Sequence, residues 1–328
     1  MRELHNLTHL SIILAVVLLI AACSLKPTPA LTPVTVQLSW THQAQFAGFY
    51  AAEQKGYYAE EGLAVTFIEG GPTTSARETV LDGSTIFGVL GADEAILARA
   101  EGDPLRAIAA VYRRSPRVYI ALAESGIRTP SDFVGKTVSV NVNGLPLLRT
   151  MMQRVGISAE QYRSVDNTSD LQALYSGDVD VRSVYLTNEV ISARNAGYEI
   201  NVIYPDDYGI HNYSDTLVTT DKTIAASPDL VLGFLRATLK GWTFAVENPT
   251  AIAPMVRAYA PQADAALEIA KMTASIPLVN TGEDYIGWMK AEIWAGMEQT
   301  MREQGVLTLP LDVTQVYTMQ FLNKVYGK

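Results

Sequence analysis

Cysteine is almost missing from this chain of 328 residues: Cys23 is the only one. One thiol makes no disulfide and no thiolate zinc site. It sits at the end of an apolar leader, which leaves no cysteine nucleophile in the folded part. Histidine is scarce as well. His5 and His9 lie in the leader, and His42 and His211 are too far apart in sequence to suggest a metal or triad constellation. Basic residues are outnumbered, 25 against 34 acidic, for a net charge of -9. That argues against a nucleic-acid partner, which needs a basic face, and against attachment to anionic lipid by charge alone. HExxH, GxSxG and Walker-type loops are absent from the sequence. Long apolar runs are limited to residues 10–22, LSIILAVVLLIAA, which is short of the roughly 20 residues of a spanning helix.

What is there begins with that run. It fits the apolar region of a signal peptide. Ile20-Ala21-Ala22-Cys23 resembles the bacterial lipobox, in which small residues precede the cysteine that receives lipid. The expectation is a lipoprotein signal peptide over 1–22 and, over 23–33, lipid attachment at Cys23 followed by a proline-rich extended tether, SLKPTPALTP. The folded part is then held at the cell membrane by lipid, facing the periplasm or the extracellular side.

From Val34 onward, apolar runs alternate with helical patterns. VTVQLSW alternates like a strand, AGFYAAEQKGYYAEEG has helical spacing, and AVTFIEG, IFGVLG and VYIALAE are further strands. Helical segments TTSARETVLDG and ADEAILARAEG lie between them, with Thr73 to Ser75 as cap candidates for the first. This rhythm predicts an α/β fold of two lobes, each a mostly parallel sheet flanked by helices. Long helical stretches over 227–248, 251–273 and 285–304 pack back onto the first lobe. The expected division is 34–118 with 218–328 as lobe 1 and 119–217 as lobe 2, with crossings near Tyr119 and Leu217 forming a two-segment hinge.

In such sheets ligands sit beyond the carboxyl ends of strands. The segments there are rich in aromatic rings and amides. Trp40, Phe46 and Tyr50 offer flat stacking faces, and Gln45, with Gln43 and His42 nearby, offers both donors and acceptors. Gly71 belongs to a Gly-Gly-Pro-Thr turn before a helix, and Asp93 and Glu94 open the next helix, where acids also complement the dipole. Asn143, Tyr185, Asn188, Tyr208, His211 and Tyr213 complete the candidate set from the opposing lobe. The presumed cleft segments carry Glu69, Asp93, Glu94 and Asp215, with Arg77 as the nearest basic residue. This charge pattern points to a neutral planar heterocycle rather than an anion.

WTHQAQFAGFYAAEQKGYYAEEGLAVTFIEGG, FGVLGADEAILARAEGDPLRAIAAVYR, LYSGDVDV and DYGIHNYSDTLVTT resemble the thiamine-pyrimidine and sulfonate type of solute-binding proteins of ABC importers. The resemblance spans most of residues 35–325. It implies the two-lobed periplasmic-binding-protein fold (type II), closing around a small molecule, a monomer without a cofactor, and partnership with a permease and an ATPase. Within the family the opening run looks most like riboflavin-binding lipoproteins. A thiamine-precursor pyrimidine gripped by Asp93 or Glu94 is the alternative, and a sulfonate or nitrate is a further one. The family also includes pyrimidine synthases that use pyridoxal phosphate, a reactive histidine and a cysteine-rich iron motif. This chain departs from them: Phe46 stands where their histidine is expected, and the cysteines are missing.

Overall fold

The computed structural model describes residues 30–71, 74–141, 144–166 and 171–328. Cys23, the expected signal peptide, residues 23–29 of the expected tether, the cap candidate Thr73 and Asn143 lie outside these residues.

Two sheets of five strands organise the segment Pro33–Lys328. The first is built from Thr32–Gln37 (β1), Leu63–Ile68 (β2), Phe87–Leu90 (β3) and Leu105–Tyr112 (β4), joined by a late strand described below. The second contains Arg117–Leu122 (β5), Thr137–Ser139 (β6), Arg163–Val165 (β7), Val181–Tyr185 (β8) and Ile200–Ile203 (β9). The late strand, Ser214–Thr220 (β10), returns to the first sheet and inserts between β3 and β4. The strand orders are β2-β1-β3-β10-β4 and β7-β6-β8-β5-β9.

The sheets are mixed rather than mostly parallel. β1 runs parallel to β3, and β6 runs parallel to β7 and β8. The exceptions are the two strands reached by crossing from one sheet to the other. β5 is antiparallel to β8 and β9, and β10 is antiparallel to β3 and β4, with Thr216 opposite Leu90 and Ser214 opposite Tyr112. A chain arriving from the other sheet enters at the shared end and runs outward, against strands that run inward.

The crossings fall at 113–116 and 204–213. Tyr119 and Leu217, near which the crossings are expected, lie a few residues beyond them, inside β5 and β10, and are fully buried. A ladder-paired core residue cannot serve as a bending point, so the change of sheet happens in the polar stretches just before each strand.

Helices cover both faces of the sheets. Ala47–Gln54 (α1), Ala76–Leu81 (α2) and Ala92–Ala100 (α3) belong to the first lobe, Leu145–Arg154 (α4) and Glu189–Asn195 (α5) to the second. Pro228–Glu247 (α6), Ala265–Val279 (α7) and Ala291–Glu303 (α8) return to the first. Ser75 caps α2, its Oγ accepting from the Glu78 amide at 3.2 Å. In β5 the side chains alternate between two cores, as strand geometry requires. Val118 and Ile120 join Leu174 and Val190 on one face, while Tyr119 and Ala121 join Phe133 and Leu148 on the other. The first lobe has one large core that includes Phe46, Phe49, Tyr50, Trp242 and Trp294. At its centre α1 and α6 cross almost backbone to backbone. A Cβ on Gly48 would lie 2.2 Å from the Trp242 ring, and one on Gly241 would lie 2.1 Å from the Gly48 carbonyl.

Candidate ligand-binding cleft

A cleft of about 290 Å³ lies between the two sheets. Ser39 and Trp40 follow β1, Gly91 follows β3, Asn141 follows β6, and Ser183 to Tyr185 end β8. These are carboxyl ends of strands, where open α/β sheets bind ligands. Arg117 opens β5, and Ser214 and Asp215 open β10, because those strands run the other way.

Trp40 is 41% exposed at the cleft, an unusual state for the largest aromatic side chain and one that leaves a ring free for stacking. Tyr185, Asn188, Thr187 and Glu189 face it from the second lobe. Glu189 Oε2 accepts from the Tyr185 amide at 2.9 Å, fixing the start of α5. Ser39 Oγ is buried without a hydrogen-bond partner among the described residues, a donor available to a ligand.

Asp215 dominates the electrostatics. It is buried, and its φ of 47° makes it the non-glycine residue in the left-handed region among the described residues. Asp tolerates this region better than most side chains, at a cost of roughly 1–2 kcal/mol. Burial pushes its carboxyl up to about 7, and the Gln45 amide opposes that shift only in part. Gln45 Nε2 donates to Asp215 Oδ2 at 2.7 Å.

Arg117 is the cation of the cleft and was not foreseen. Arg77, the expected nearest base, is turned away to Glu101 and Asp103. Of the three arginines at the first crossing, Arg113 pairs with Asp284 at 2.8 Å and Arg114 with Glu283 at 3.5 Å. Arg117 instead lies over the Tyr185 ring, 5.4 Å from its centroid, and reaches Asn141 Oδ1 at 3.4 Å. Nothing in the run RRSPR tells which of its arginines turns inward.

The remaining candidates separate. Trp40, Gln45, Tyr185 and Asn188 line the cleft. Phe46 and Tyr50 do not: both are fully buried. The short 3₁₀ turn Ala44–Phe46 sends Gln45 toward the cleft and its neighbours into the core. Tyr50 stacks on Tyr259 at 4.4 Å and meets His42 Nδ1 through its hydroxyl at 2.7 Å. Burial holds the His42 imidazole below its ordinary range, with Glu69 pulling the other way. Gly71 sits outside the cleft lining, its carbonyl accepting from the Thr74 amide at 3.2 Å in a turn. Asp93 and Glu94 are on the first turn of α3, next to Gly91 but not in the lining. Burial, then Asp93, raises the Glu94 carboxyl. Tyr208 packs on the core of the second lobe. His211 and Tyr213 border a different pocket, of about 160 Å³, beside the crossings. His211 Nδ1 meets Asp206 Oδ1 at 2.7 Å, and Tyr213 Oη accepts from the Lys290 amide at 2.7 Å. The described residues of the ligand cleft include no lysine, histidine or cysteine.

The NMT1/THI5 like family model matches residues 43–252. The riboflavin-binding protein RibY of Chloroflexus aurantiacus is 27% identical over 97% of this chain and 98% of its own length. The formylaminopyrimidine-binding protein of Halalkalibacterium halodurans is 32% identical over 73% of this chain and 75% of its own. A 4-amino-5-hydroxymethyl-2-methylpyrimidine phosphate synthase of Legionella pneumophila is 25% identical over 88% and 92% of the two chains. Among solved structures, the periplasmic aliphatic sulphonate binding protein SsuA of Escherichia coli superposes with a TM-score of 0.70 at 16% identity, covering 88% of this chain and 91% of SsuA. That likeness establishes the fold: two mixed sheets flanked by helices, as in periplasmic binding proteins.

Proposed function

The chain belongs to the NMT1/THI5 like family, and on that footing we propose that it is the solute-binding component of an ABC importer, capturing riboflavin and handing it to a permease with its ATPase. The observation that carries this reading is the composition of the cleft. An exposed Trp40 and a facing Tyr185 supply ring surface, while Gln45, Asn188, Ser39 and Ser214 supply neutral donors and acceptors. A tricyclic ring with polar edges and a polyol tail uses all of these. The likeness to a riboflavin-binding protein over nearly the whole chain supports it. A cleft lined without lysine, histidine or cysteine supports binding rather than the covalent and acid–base chemistry of the synthase relatives. Cys23 carries the lipid in this reading, which keeps the receptor at the outer face of the membrane as a monomer.

Asp215 favours a second reading, an aminopyrimidine. A buried carboxylate beside an amide suits a ring that presents an amino group and a ring nitrogen along one edge. The formylaminopyrimidine-binding relative supports it. A strong anion is disfavoured, since Asp215 and Glu189 share the cleft with the single Arg117.

The test is titration of the purified domain with riboflavin, an aminopyrimidine and an alkanesulfonate. Riboflavin is expected to lose fluorescence on stacking and to raise the melting temperature, by about 2.7 kcal/mol of stabilisation at a hundredfold excess over Kd. A melting shift with the aminopyrimidine alone selects the second reading, and a shift with the sulfonate alone overturns both.

A further inference from the structure

Behind the cleft lies a buried ion pair that is not part of its lining. Lys271 and Glu268, three residues apart on α7, face inward from the first lobe, 8% and 3% exposed. Lys271 Nζ donates to Glu268 Oε1 at 2.9 Å. Glu268 Oε2 accepts from the Ala44 amide at 2.6 Å and so holds the turn that carries Gln45. Lys271 Nζ also donates to Gln43 Oε1 at 3.3 Å. From there the bonds continue without a gap. Gln43 Nε2 donates to Gln45 Oε1 at 3.0 Å, and Gln45 Nε2 donates to Asp215 Oδ2 at 2.7 Å.

The direction of this chain is fixed by chemistry at one end. An ammonium has three donors and no acceptor. Gln43 must therefore turn its oxygen to Lys271, which leaves its NH₂ for Gln45. Gln45 must turn its oxygen to Gln43, which leaves its NH₂ for Asp215. Each amide has one workable orientation, and the Asp215 oxygen that faces the Gln45 NH₂ can only accept. A neutral or apolar residue at position 271 would free both amides to flip, and Gln45 could then present an oxygen to the carboxyl group.

We propose that the Lys271–Glu268 pair is the positioning element of this cleft, orienting a one-way relay through Gln43 and Gln45 that makes Asp215 an acceptor and selects ligands presenting an N–H to it. This rests on the reading of the chain as a solute-binding protein at this cleft. It explains why two charges are kept in a core where their burial costs as much as it gains. It also narrows the ligand: the ring edge that meets Asp215 carries a proton, as a flavin imide or an aminopyrimidine does. Other charged or titratable groups around Asp215 are Tyr112 on β4 and Asp93 on α3 in its own lobe, and across the cleft Tyr185 on β8, Arg117 on β5 and Glu189 on α5.

The experiment compares the wild type, Lys271→Arg, and the double variant Lys271→Met with Glu268→Gln. The double variant removes both charges together, so it leaves no lone buried ion and does not change the net charge near Asp215. Circular dichroism and melting establish that it folds. The first readout needs no ligand: the Asp215 carboxyl is titrated by carbon NMR. Its midpoint is expected to rise in the double variant, where its donor is no longer held, and to stay put in Lys271→Arg. The second readout is binding of riboflavin and of N3-methylriboflavin, which lacks the imide proton. The wild type is expected to prefer riboflavin by tenfold or more, Lys271→Arg to keep that preference and the double variant to lose it. A folded double variant with the wild-type Asp215 midpoint overturns the relay. So does an unchanged preference between the two flavins. If the wild type binds neither flavin nor aminopyrimidine, the function reading fails, and the Asp215 titration still decides for or against the relay.

Discussion

Asp215 combines two unfavourable states in one residue, a left-handed backbone and a buried carboxyl group. Its pKa in the folded protein, about 7, is above the 3.8 of an ordinary aspartate. Between those values the native state holds a proton that the unfolded chain has released. Linkage then makes the Asp215 contribution fall as pH rises from about 4 to 7, with the full penalty above 7. At roughly 1.4 kcal/mol per unit the penalty is of the order of a few kcal/mol. Asp215→Asn tolerates the same φ and still accepts from Gln45. It is expected to melt at a higher temperature than the wild type at pH 8, with the two curves converging near pH 4. It should also bind its ligand far more weakly, which calorimetry would measure. A variant no more stable at pH 8 than the wild type would show that the carboxyl is well solvated. Trp40 makes the complementary case. Trp40→Ala is expected to weaken riboflavin binding by about 1–3 kcal/mol, on the scale of losses from removing a stacked ring, with little change in melting because the side chain is already exposed. Both residues were visible in the sequence, one as an aromatic at a strand end and one as an acid in a presumed cleft segment. The backbone of Asp215 was not, because no glycine or asparagine marks the position.

At the scale of elements, the strands were easier to read than the ends of helices. Runs such as IFGVLG and VYIAL lack charged residues because both faces of their sheets are covered, and that signal survives any detail of pairing. The expected helix over 47–62 breaks at Gly56, φ 77°, into Ala47–Gln54 and Tyr57–Glu60. The expected helix over 251–273 breaks too: Ile252–Arg257 ends, and α7 restarts at Asp264, whose Oδ1 accepts from the Leu267 amide at 2.8 Å. Pro261 and Asp264 announce that restart, but the apolar periodicity runs through it. The mixed direction of the sheets was not legible, since an apolar strand reads the same in either orientation. Packing of α1 on α6 hangs on two glycines whose role the sequence also leaves silent. Gly241→Ala must push the helices apart or displace the Ala52 side chain and backbone. It is expected to lower the urea midpoint, by about 1–3 kcal/mol of stability, at an unchanged slope. Gly296 on α8 has open space around it, and alanine there is expected to be neutral or slightly stabilising through helix propensity.

For the molecule as a whole, the two crossings lie side by side and are bound by charge. Arg113 and Arg114 on the first face Asp206 and His211 on the second, and Glu283, Asp284 and Lys290 close the group. Asp215 follows the second crossing by two residues, so any bending there moves the carboxyl directly. A ligand held by Trp40 on one side and Tyr185 on the other gains its full contacts only when the lobes are closed, and so shifts the population toward that state. Small-angle scattering is expected to report a smaller radius of gyration with saturating ligand. An unchanged radius would show that the cleft is already set in its bound form.

The place of β10 bears on how the protein is made. Strands β1 to β4 have been synthesised by residue 112, yet the slot between β3 and β4 is filled only by Ser214–Thr220. At about 5–20 residues per second, synthesis of the intervening segment leaves that slot vacant for roughly 5 to 20 s. During that interval β3, buried along its whole length in the finished protein, presents an open apolar edge. The second sheet, Arg117 to Ile203, has all of its strands within one continuous stretch and faces no such wait. The nascent chain is thus a finished half joined to an unfinished one until its last strand is made. A chain ending at residue 212 is expected to show this in hydrogen exchange. Amides of β5, β8 and β9 should be protected while those of β1 and β3 exchange freely, and equal protection in both sheets would mean that the first closes without its keystone strand.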